Sequence, residues 1–256
     1  MNIQNSITIV SMSRRTELYS KFILDVESKI GHLIKEYIVF VNDPNILPFY
    51  KNLQNTNKKI NVISGQEDFV YRFGHDRVYN YLESKVTSQY ILKLFDTDLV
   101  EVNIPEFEKE LNLEKDLYGI LTYMSRGSNM WETKFQLYKK NIFKWEGCVH
   151  EEKKWIKNEN EIQIYNLTSF RVFHKNDIDF YSKNLTKTED GFIILEKVDK
   201  QSDSFLRNCL YEGLTWKIVN EGLDHKYRGW FLRHYEINKK VIDFYHEEAE
   251  KKYSTK

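Results

Sequence analysis

The sequence predicts an α/β fold in which a mostly parallel central sheet is followed by a helical C-terminal region. Two observations support this prediction. Over roughly the first 175 residues, short apolar runs alternate with amphipathic helical patterns, as in successive strand–helix units. After that point the pattern is helical only, with aromatic residues spaced among many charges. We therefore predict two domains, residues 1–175 and residues 176–256.

The predicted elements follow from the spacing of the apolar side chains. The first strand, Ile7–Val10, precedes a helix in which Leu18, Phe22 and Val26 share one face. The second strand is almost entirely apolar, which is typical of a strand covered on both faces, and it stops at the turn signal beginning with Asn42. The second strand is residues 37–41, and the later predicted strands are residues 60–63, 90–95, 118–124 and 135–138. A second helix is predicted over residues 72–83.

Charge and cysteine content argue against several classes of protein. Lys plus Arg and Asp plus Glu each number 38, so the chain lacks the basic excess of nucleic-acid binders, and a nucleic-acid acceptor is not favoured. The two cysteines, Cys148 and Cys209, fit neither a zinc motif nor a disulfide framework. The first residues do not form a signal peptide, and no apolar run reaches membrane-spanning length. We expect a cytoplasmic protein without a membrane span.

Asp96-Thr97-Asp98 is the sharpest local signal in the sequence. It follows a predicted buried strand, at the end of the strand where open α/β sheets bind ligands. Side chains two apart on an extended chain point the same way, so we expect both carboxylates to face one cleft. A divalent cation would relieve their repulsion, and carboxylate oxygens suit Mg²⁺ or Mn²⁺. A solvated acidic turn is the alternative interpretation.

A second signal is the segment Trp145–Glu152, which contains a glycine, a histidine and several acids. A glutamate in such a segment can serve as a general base that takes a proton from an attacking hydroxyl. The residues themselves also fit an exposed, charged turn leading into Lys153 and Lys154.

The order of these segments resembles the family-two glycosyltransferases of the GT-A fold, particularly bacterial members that act on surface polysaccharides. The resemblance covers roughly residues 5–175. It rests on three blocks taken together, which are Ile7–Arg14, then Phe73–Asn80 followed by Tyr90–Asp98, then Phe135–Tyr138 followed by Trp145–Glu151.

The resemblance implies a donor site and a metal site. Asp98 is expected to be the main metal ligand, Asp96 to contact the ribose or the metal, and His174 to be a late metal-binding histidine. The cofactor is expected to be Mn²⁺ or Mg²⁺. Arg77 is expected to approach the diphosphate, because a guanidinium matches phosphate oxygens. The residues expected to bind the nucleotide-sugar, with a UDP-sugar favoured, are Ser11, Ser13, Arg14, Asn42, Asp43, Arg77, Asp96 and Thr97.

The resemblance also implies the chemistry. Glu151 is the expected base, and His150 is expected to orient it or to bind the donor. The expected reaction transfers a sugar from a nucleoside diphosphate-sugar to a hydroxyl of a glycan or another acceptor, with inversion at the anomeric carbon.

Two other functions remain open at this stage. A nucleotidyltransferase also needs metal-binding acids, but it usually has a glycine-rich loop after the first strand, where this chain has Ser11, Ser13, Arg14 and Arg15 and no glycine. A non-catalytic domain that binds a sugar-nucleotide or acts as a scaffold is the other alternative.

Overall fold

The structure is a computed structural model, and it describes residues 3–13, 15–65, 75–124, 130–146, 152–174, 212–225 and 228–253. The chain divides into two compact units. The larger contains the central sheet and its flanking helices. Among the described residues, the smaller contains those from 212 onward.

Ten strands and five α-helices account for most of the described residues. The strands are β1 (Ile7–Met12), β2 (Ile34–Val41), β3 (Ile60–Ser64), β4 (Tyr90–Lys93), β5 (Asp98–Val102), β6 (Leu117–Met124), β7 (Met130–Lys139), β8 (Phe143–Glu146), β9 (Glu152–Trp155) and β10 (Ile164–His174). The helices are α1 (Thr16–Ile30), α2 (Leu47–Thr56), α3 (His75–Lys85), α4 (Ile104–Leu111) and α5 (Arg228–Tyr253).

Eight of these strands form one sheet in the order β3-β2-β1-β4-β7-β6-β10-β5. Four of its seven neighbouring pairs are parallel, namely β3–β2, β2–β1, β1–β4 and β6–β10. The other three, β4–β7, β7–β6 and β10–β5, are antiparallel. The predicted α/β class with a mostly parallel central sheet is confirmed. Strands β8 and β9 form a separate antiparallel hairpin.

The central strands are mostly apolar because they supply two different cores. In β2, Tyr37 and Val39 enter a core on one face, while Ile38 and Phe40 enter a second core on the other. Side chains alternate between the faces of a strand, so a strand covered on both faces is mostly apolar on both. Helix α1 packs into the first core and helix α3 into the second.

The described part of the smaller unit is helical, as predicted for the C-terminal region. Residues 212–216 are α-helical and continue into a π-helical turn, Lys217–Glu221, which ends at Gly222 with a left-handed φ of 73°. Helix α5 follows, with irregular backbone angles at Asn238. Among the helices that the structure describes, none is long and apolar enough to cross a membrane.

Candidate active site

The candidate residues meet at one edge of the sheet. Strands β1, β2, β4, β6 and β10 all run in the same direction, so their carboxyl ends lie along this edge. Ser13 follows β1, Asn42 follows β2, Asp96 follows β4 by a short turn, and His174 is the last residue of β10. Because ligands of open α/β sheets bind at the carboxyl ends of strands, we take this edge as the candidate site.

Asp96 is buried in a network that starts at the turn after β1. Ser13 Oγ donates a hydrogen bond to Asp96 Oδ2 at 2.7 Å, and Arg15 Nη2 lies 3.1 Å from Asp96 Oδ1. Tyr50 OH lies 2.6 Å from Ser13 Oγ. A hydroxyl has a single proton to donate, so Tyr50 donates to Ser13 while Ser13 donates to Asp96. Burial raises the pKa of Tyr50 to about 12, which keeps that donor proton in place at neutral pH.

Opposing effects act on the charge of Asp96. Burial raises the pKa of its carboxyl, and the nearby Asp98 adds to that rise. The hydrogen bond from Ser13 and the positive charge of Arg15 oppose the rise and favour the carboxylate. Arg15 is therefore the counter-ion of Asp96 at this edge.

Asp98 has a different set of partners. Its Oδ1 lies 2.6 Å from His174 Nδ1, and its Oδ2 accepts the backbone N–H of Phe95 at 2.9 Å. Asp98 and His174 are directly opposite each other in the antiparallel pairing of β5 with β10. The Phe95 ring packs edge-on against the His174 ring, with centroids 5.7 Å apart. The pairing of two strands thus brings together a carboxylate and an imidazole that are distant in sequence.

The local backbone differs from the sequence-based expectation. Strand β4 ends at Lys93, residues 96 and 97 form a turn, and Asp98 begins the next strand. The two carboxylates are therefore not alternate side chains of one extended strand, and each has its own partners. Between them, Thr97 is buried, and its hydroxyl has no hydrogen-bond partner among the described residues.

Helix α1 fixes the outer edge of β5. Asp25 Oδ2 accepts the backbone N–H of Val100 at 3.0 Å, and Lys29 Nζ donates to the carbonyl oxygen of the same residue. Asp25 and Lys29 are also paired with each other. Asp25 and Lys29 thus satisfy the backbone N–H and carbonyl of Val100, which a further strand would otherwise bond. Val100 lies two residues beyond Asp98.

The other predicted donor residues occupy varied surroundings. Ser11 is buried at the end of β1 and donates to Tyr19 OH at 3.5 Å, and Asn42 is buried after β2. Asp43 is half-buried, and its Oδ1 accepts the N–H of Asn45 at 2.8 Å in a local turn. Arg77 is exposed on α3. Their assignments to the donor stay predictions.

The remaining predicted residues, Arg14, His150 and Glu151, lie outside the described residues. Strand β8, which precedes residues 147–151, is anchored to α3. Asn80 exchanges two hydrogen bonds with the backbone of Trp145, at 2.8 and 2.9 Å, and Glu83 accepts a hydrogen bond from the indole N–H of Trp145.

A metal could be held at this edge by Asp98 and His174. The part of the chain that the structure describes contains no cluster of three or more metal-binding side chains. Mg²⁺ is commonly bound through one or two carboxylates, with substrate phosphates and water completing its shell. The Asp98 carboxylate fits such an ion, with the His174 imidazole beside it and Asp96 held nearby by Ser13 and Arg15.

Two members of the network, Arg15 and Tyr50, were not predicted as site residues. Arg15 had a signal, because it follows Arg14 directly in the turn after β1. Tyr50 had none, since 37 residues separate it from Ser13 and only tertiary packing brings the two together.

Neither the protein-family models nor the curated protein sequences contain a match to this chain. Solved structures that are similar to it include three of S. aureus TarS. S. aureus TarS 1-349 is 11% identical over 98% of this chain and 92% of that chain, with a TM-score of 0.45. S. aureus TarS is 8% identical over 96% and 55%, with a TM-score of 0.44. TarS 1-349 in complex with UDP-GlcNAc is 8% identical over 96% and 77%, with a TM-score of 0.47. At such identities the likeness concerns the fold alone.

Proposed function

We propose that this chain is a glycosyltransferase that transfers a sugar from a nucleoside diphosphate-sugar to an acceptor hydroxyl. A UDP-sugar is the favoured donor. One observation carries the proposal. The turn after β1, the Asp96–Asp98 segment and His174 are joined by hydrogen bonds at the carboxyl edge of the sheet. Two of the three blocks that resemble family-two glycosyltransferases thus form one connected site.

The donor is proposed to bind against the buried network. Ser13 and Arg15 hold the Asp96 carboxylate in a fixed position, where it can accept a hydrogen bond from a ribose hydroxyl. Arg15 retains 20% side-chain exposure, so its positive charge can also act on the phosphates of a donor at this edge.

Asp98 and His174 are proposed to hold Mn²⁺ or Mg²⁺. A bound divalent cation would neutralise the charge of the departing diphosphate. His174 must be neutral to be a ligand, and its hydrogen bond with Asp98 keeps the ring oriented when the cation is absent.

Glu151 is proposed to take the proton of the acceptor hydroxyl, with His150 beside it in sequence. The oxygen would then attack the anomeric carbon as the bond to the diphosphate breaks, giving inversion. A product with retained anomeric configuration would exclude this step.

Thermal unfolding with a panel of nucleoside diphosphates, each with and without Mn²⁺, tests the donor site. A ligand that binds only the folded state at about 100 times its Kd adds about 2.7 kcal/mol, which corresponds to a shift of several degrees. We expect a Mn²⁺-dependent shift with one nucleotide in the wild type and its loss in Asp98→Asn. Glu161→Gln, which removes an exposed charge from the 3₁₀ turn Glu159–Glu161, is the matched control.

The alternatives give different results. Release of pyrophosphate from a nucleoside triphosphate would indicate a nucleotidyltransferase. Donor binding without turnover on any acceptor or water would indicate a binding domain. The absence of any nucleotide-dependent shift in folded protein would contradict the proposal as a whole.

A further inference from the structure

A cluster of three aromatic rings lies at the same edge of the sheet and plays no part in the network around Asp96 and Asp98. Trp131 is 42% exposed, although it is the largest apolar side chain of its strand. Its ring lies 5.2 Å from the ring of Tyr123 and 5.5 Å from the ring of Phe173, and the latter two are 6.2 Å apart. Both neighbours are half-buried. We call Tyr123, Trp131 and Phe173 the aromatic platform.

The platform is built on three adjacent strands. Tyr123 of β6 is directly opposite Trp131 of β7 and is also the partner of Phe173 of β10. Side chains that are directly opposite in neighbouring strands lie on the same face of a sheet. The sheet backbone therefore fixes the three rings as one surface and leaves the indole of Trp131 as its exposed part.

The strand register places this platform beside the candidate site. Phe173 is paired with Leu99 of β5, and the next pair along the same two strands is His174 with Asp98. One step along a strand is about 3.3 Å and turns the side chain to the other face. The platform and the Asp98–His174 pair thus meet at the end of β10 and lie on opposite faces of it, where one extended ligand can reach both.

Among the described residues, charged side chains of both signs lie near the platform. The Arg171 guanidinium lies 6.0 Å from the centre of the Trp131 ring, and Glu101 is directly opposite Arg171 in β5. A surface for a polyanion would carry a basic excess. Exposed rings rimmed by polar groups of both signs suit a neutral ligand with an apolar face and hydroxyl groups.

We propose that the aromatic platform binds the pyranose ring of the acceptor, which rests on the proposed function of sugar transfer. The faces of aromatic rings carry negative potential, and the C–H groups on one face of a pyranose are weakly positive and apolar. The hydroxyls at the rim of the sugar would meet Arg171 and Glu101, which are both exposed. The acceptor is held on this face with one hydroxyl directed towards the carboxyl edge.

Saturation-transfer NMR with methyl glycosides of glucose, galactose, mannose and N-acetylglucosamine tests the platform directly. The proteins are the wild type, Trp131→Ala, Trp131→Phe and Tyr81→Ala. Tyr81, 45% exposed on α3, is the control for losing an exposed ring elsewhere. Nucleotide binding in the presence of Mn²⁺ is measured in parallel for each protein, so that the donor site is assessed separately.

We expect at least one glycoside to bind the wild type, Trp131→Phe and Tyr81→Ala, and to bind Trp131→Ala about tenfold more weakly, with nucleotide binding unchanged. Equal glycoside binding in Trp131→Ala, or no glycoside binding in the wild type, would overturn the proposal. A Trp131-dependent signal with uridine monophosphate, but with none of the glycosides, would also overturn the proposal. Glycoside binding that depends on Trp131 without any nucleotide binding would support the platform and contradict the proposed function.

Discussion

Replacing Asp25 tests whether helix α1 fixes the strand that begins with Asp98. Asp25→Ala removes the carboxylate that accepts the backbone N–H of Val100. Val100 is only 2% exposed, so this N–H would be left buried without its acceptor. Losing a charge-assisted hydrogen bond to a buried group costs about 1.5–3 kcal/mol. Losing the half-exposed pair with Lys29 costs about 0.3–0.5 kcal/mol, and the higher helix propensity of alanine returns roughly 0.6 kcal/mol. We therefore expect a net loss of about 1–3 kcal/mol.

Urea denaturation measures this loss as a lower midpoint at unchanged slope. Asp25→Asn keeps an acceptor oxygen for Val100 and is expected to lose only about 1 kcal/mol. Leu24→Ala is the control, since Leu24 is 71% exposed on the same helix and its replacement should change stability by less than about 0.5 kcal/mol. If Asp25→Ala were no less stable than Leu24→Ala, the side-chain contacts with Val100 would contribute nothing and the reasoning would be refuted.

Two further predictions concern the strands behind the site. Gly119→Ala is expected to lower the free energy of unfolding by about 1–3 kcal/mol, because the added Cβ would lie 2.3 Å from Asn166 Oδ1. Gly229→Ala is the control. A Cβ at Gly229 would have no neighbour within 4 Å, so this variant should be neutral or stabilising in thermal unfolding. Burial opposes ionisation of Glu110, but hydrogen bonds from Ser169 and Thr168 outweigh it and lower the pKa of Glu110. Glu110→Gln should therefore lower the free energy of unfolding by about 2 kcal/mol at neutral pH. The difference from wild type should shrink only as the pH falls below about 4, through the lowered pKa of Glu110. A difference that does not depend on pH would contradict this assignment.

The parallel core was predictable from the sequence for a physical reason. A strand that supplies two cores has a continuous apolar run, such as residues 37–41 of β2, and such runs are visible without any knowledge of their partners. The helix Thr16–Ile30 was predictable because its buried side chains repeat with the helical period.

Strand β5 was not predicted, although it contains Asp98. Asp98–Val102 is short, and it exists as a strand because it pairs with β10. The last residue of β10, His174, lies 76 positions after Asp98, and the sequence did not predict β10 as a strand. The proximity of Asp98 and His174 depends on this pairing. The resemblance to a family indicated both residues, but no local pattern could place them at 2.6 Å from each other.

The network around Asp96 was predictable only in part. Ser13 and Asp96 were expected to contact the same donor, and the structure joins them by a hydrogen bond. Tyr50 was missed because tertiary packing alone brings it to Ser13, and such packing leaves no pattern in the sequence. Arg15 was missed although it follows the predicted Arg14 in the same turn.

Product analysis of donor turnover tests the central claim most directly. Purified protein is incubated with Mn²⁺ and a panel of nucleotide-sugars that includes UDP-GlcNAc, with water as the default acceptor, and the released nucleotide is identified by mass spectrometry. The account predicts release of a nucleoside diphosphate from one donor, its loss on chelation of the metal and in Asp98→Asn, and no loss in Glu161→Gln. Turnover that persists at the wild-type rate in Asp98→Asn, or no release from any donor by folded protein that binds the nucleotide, would contradict it.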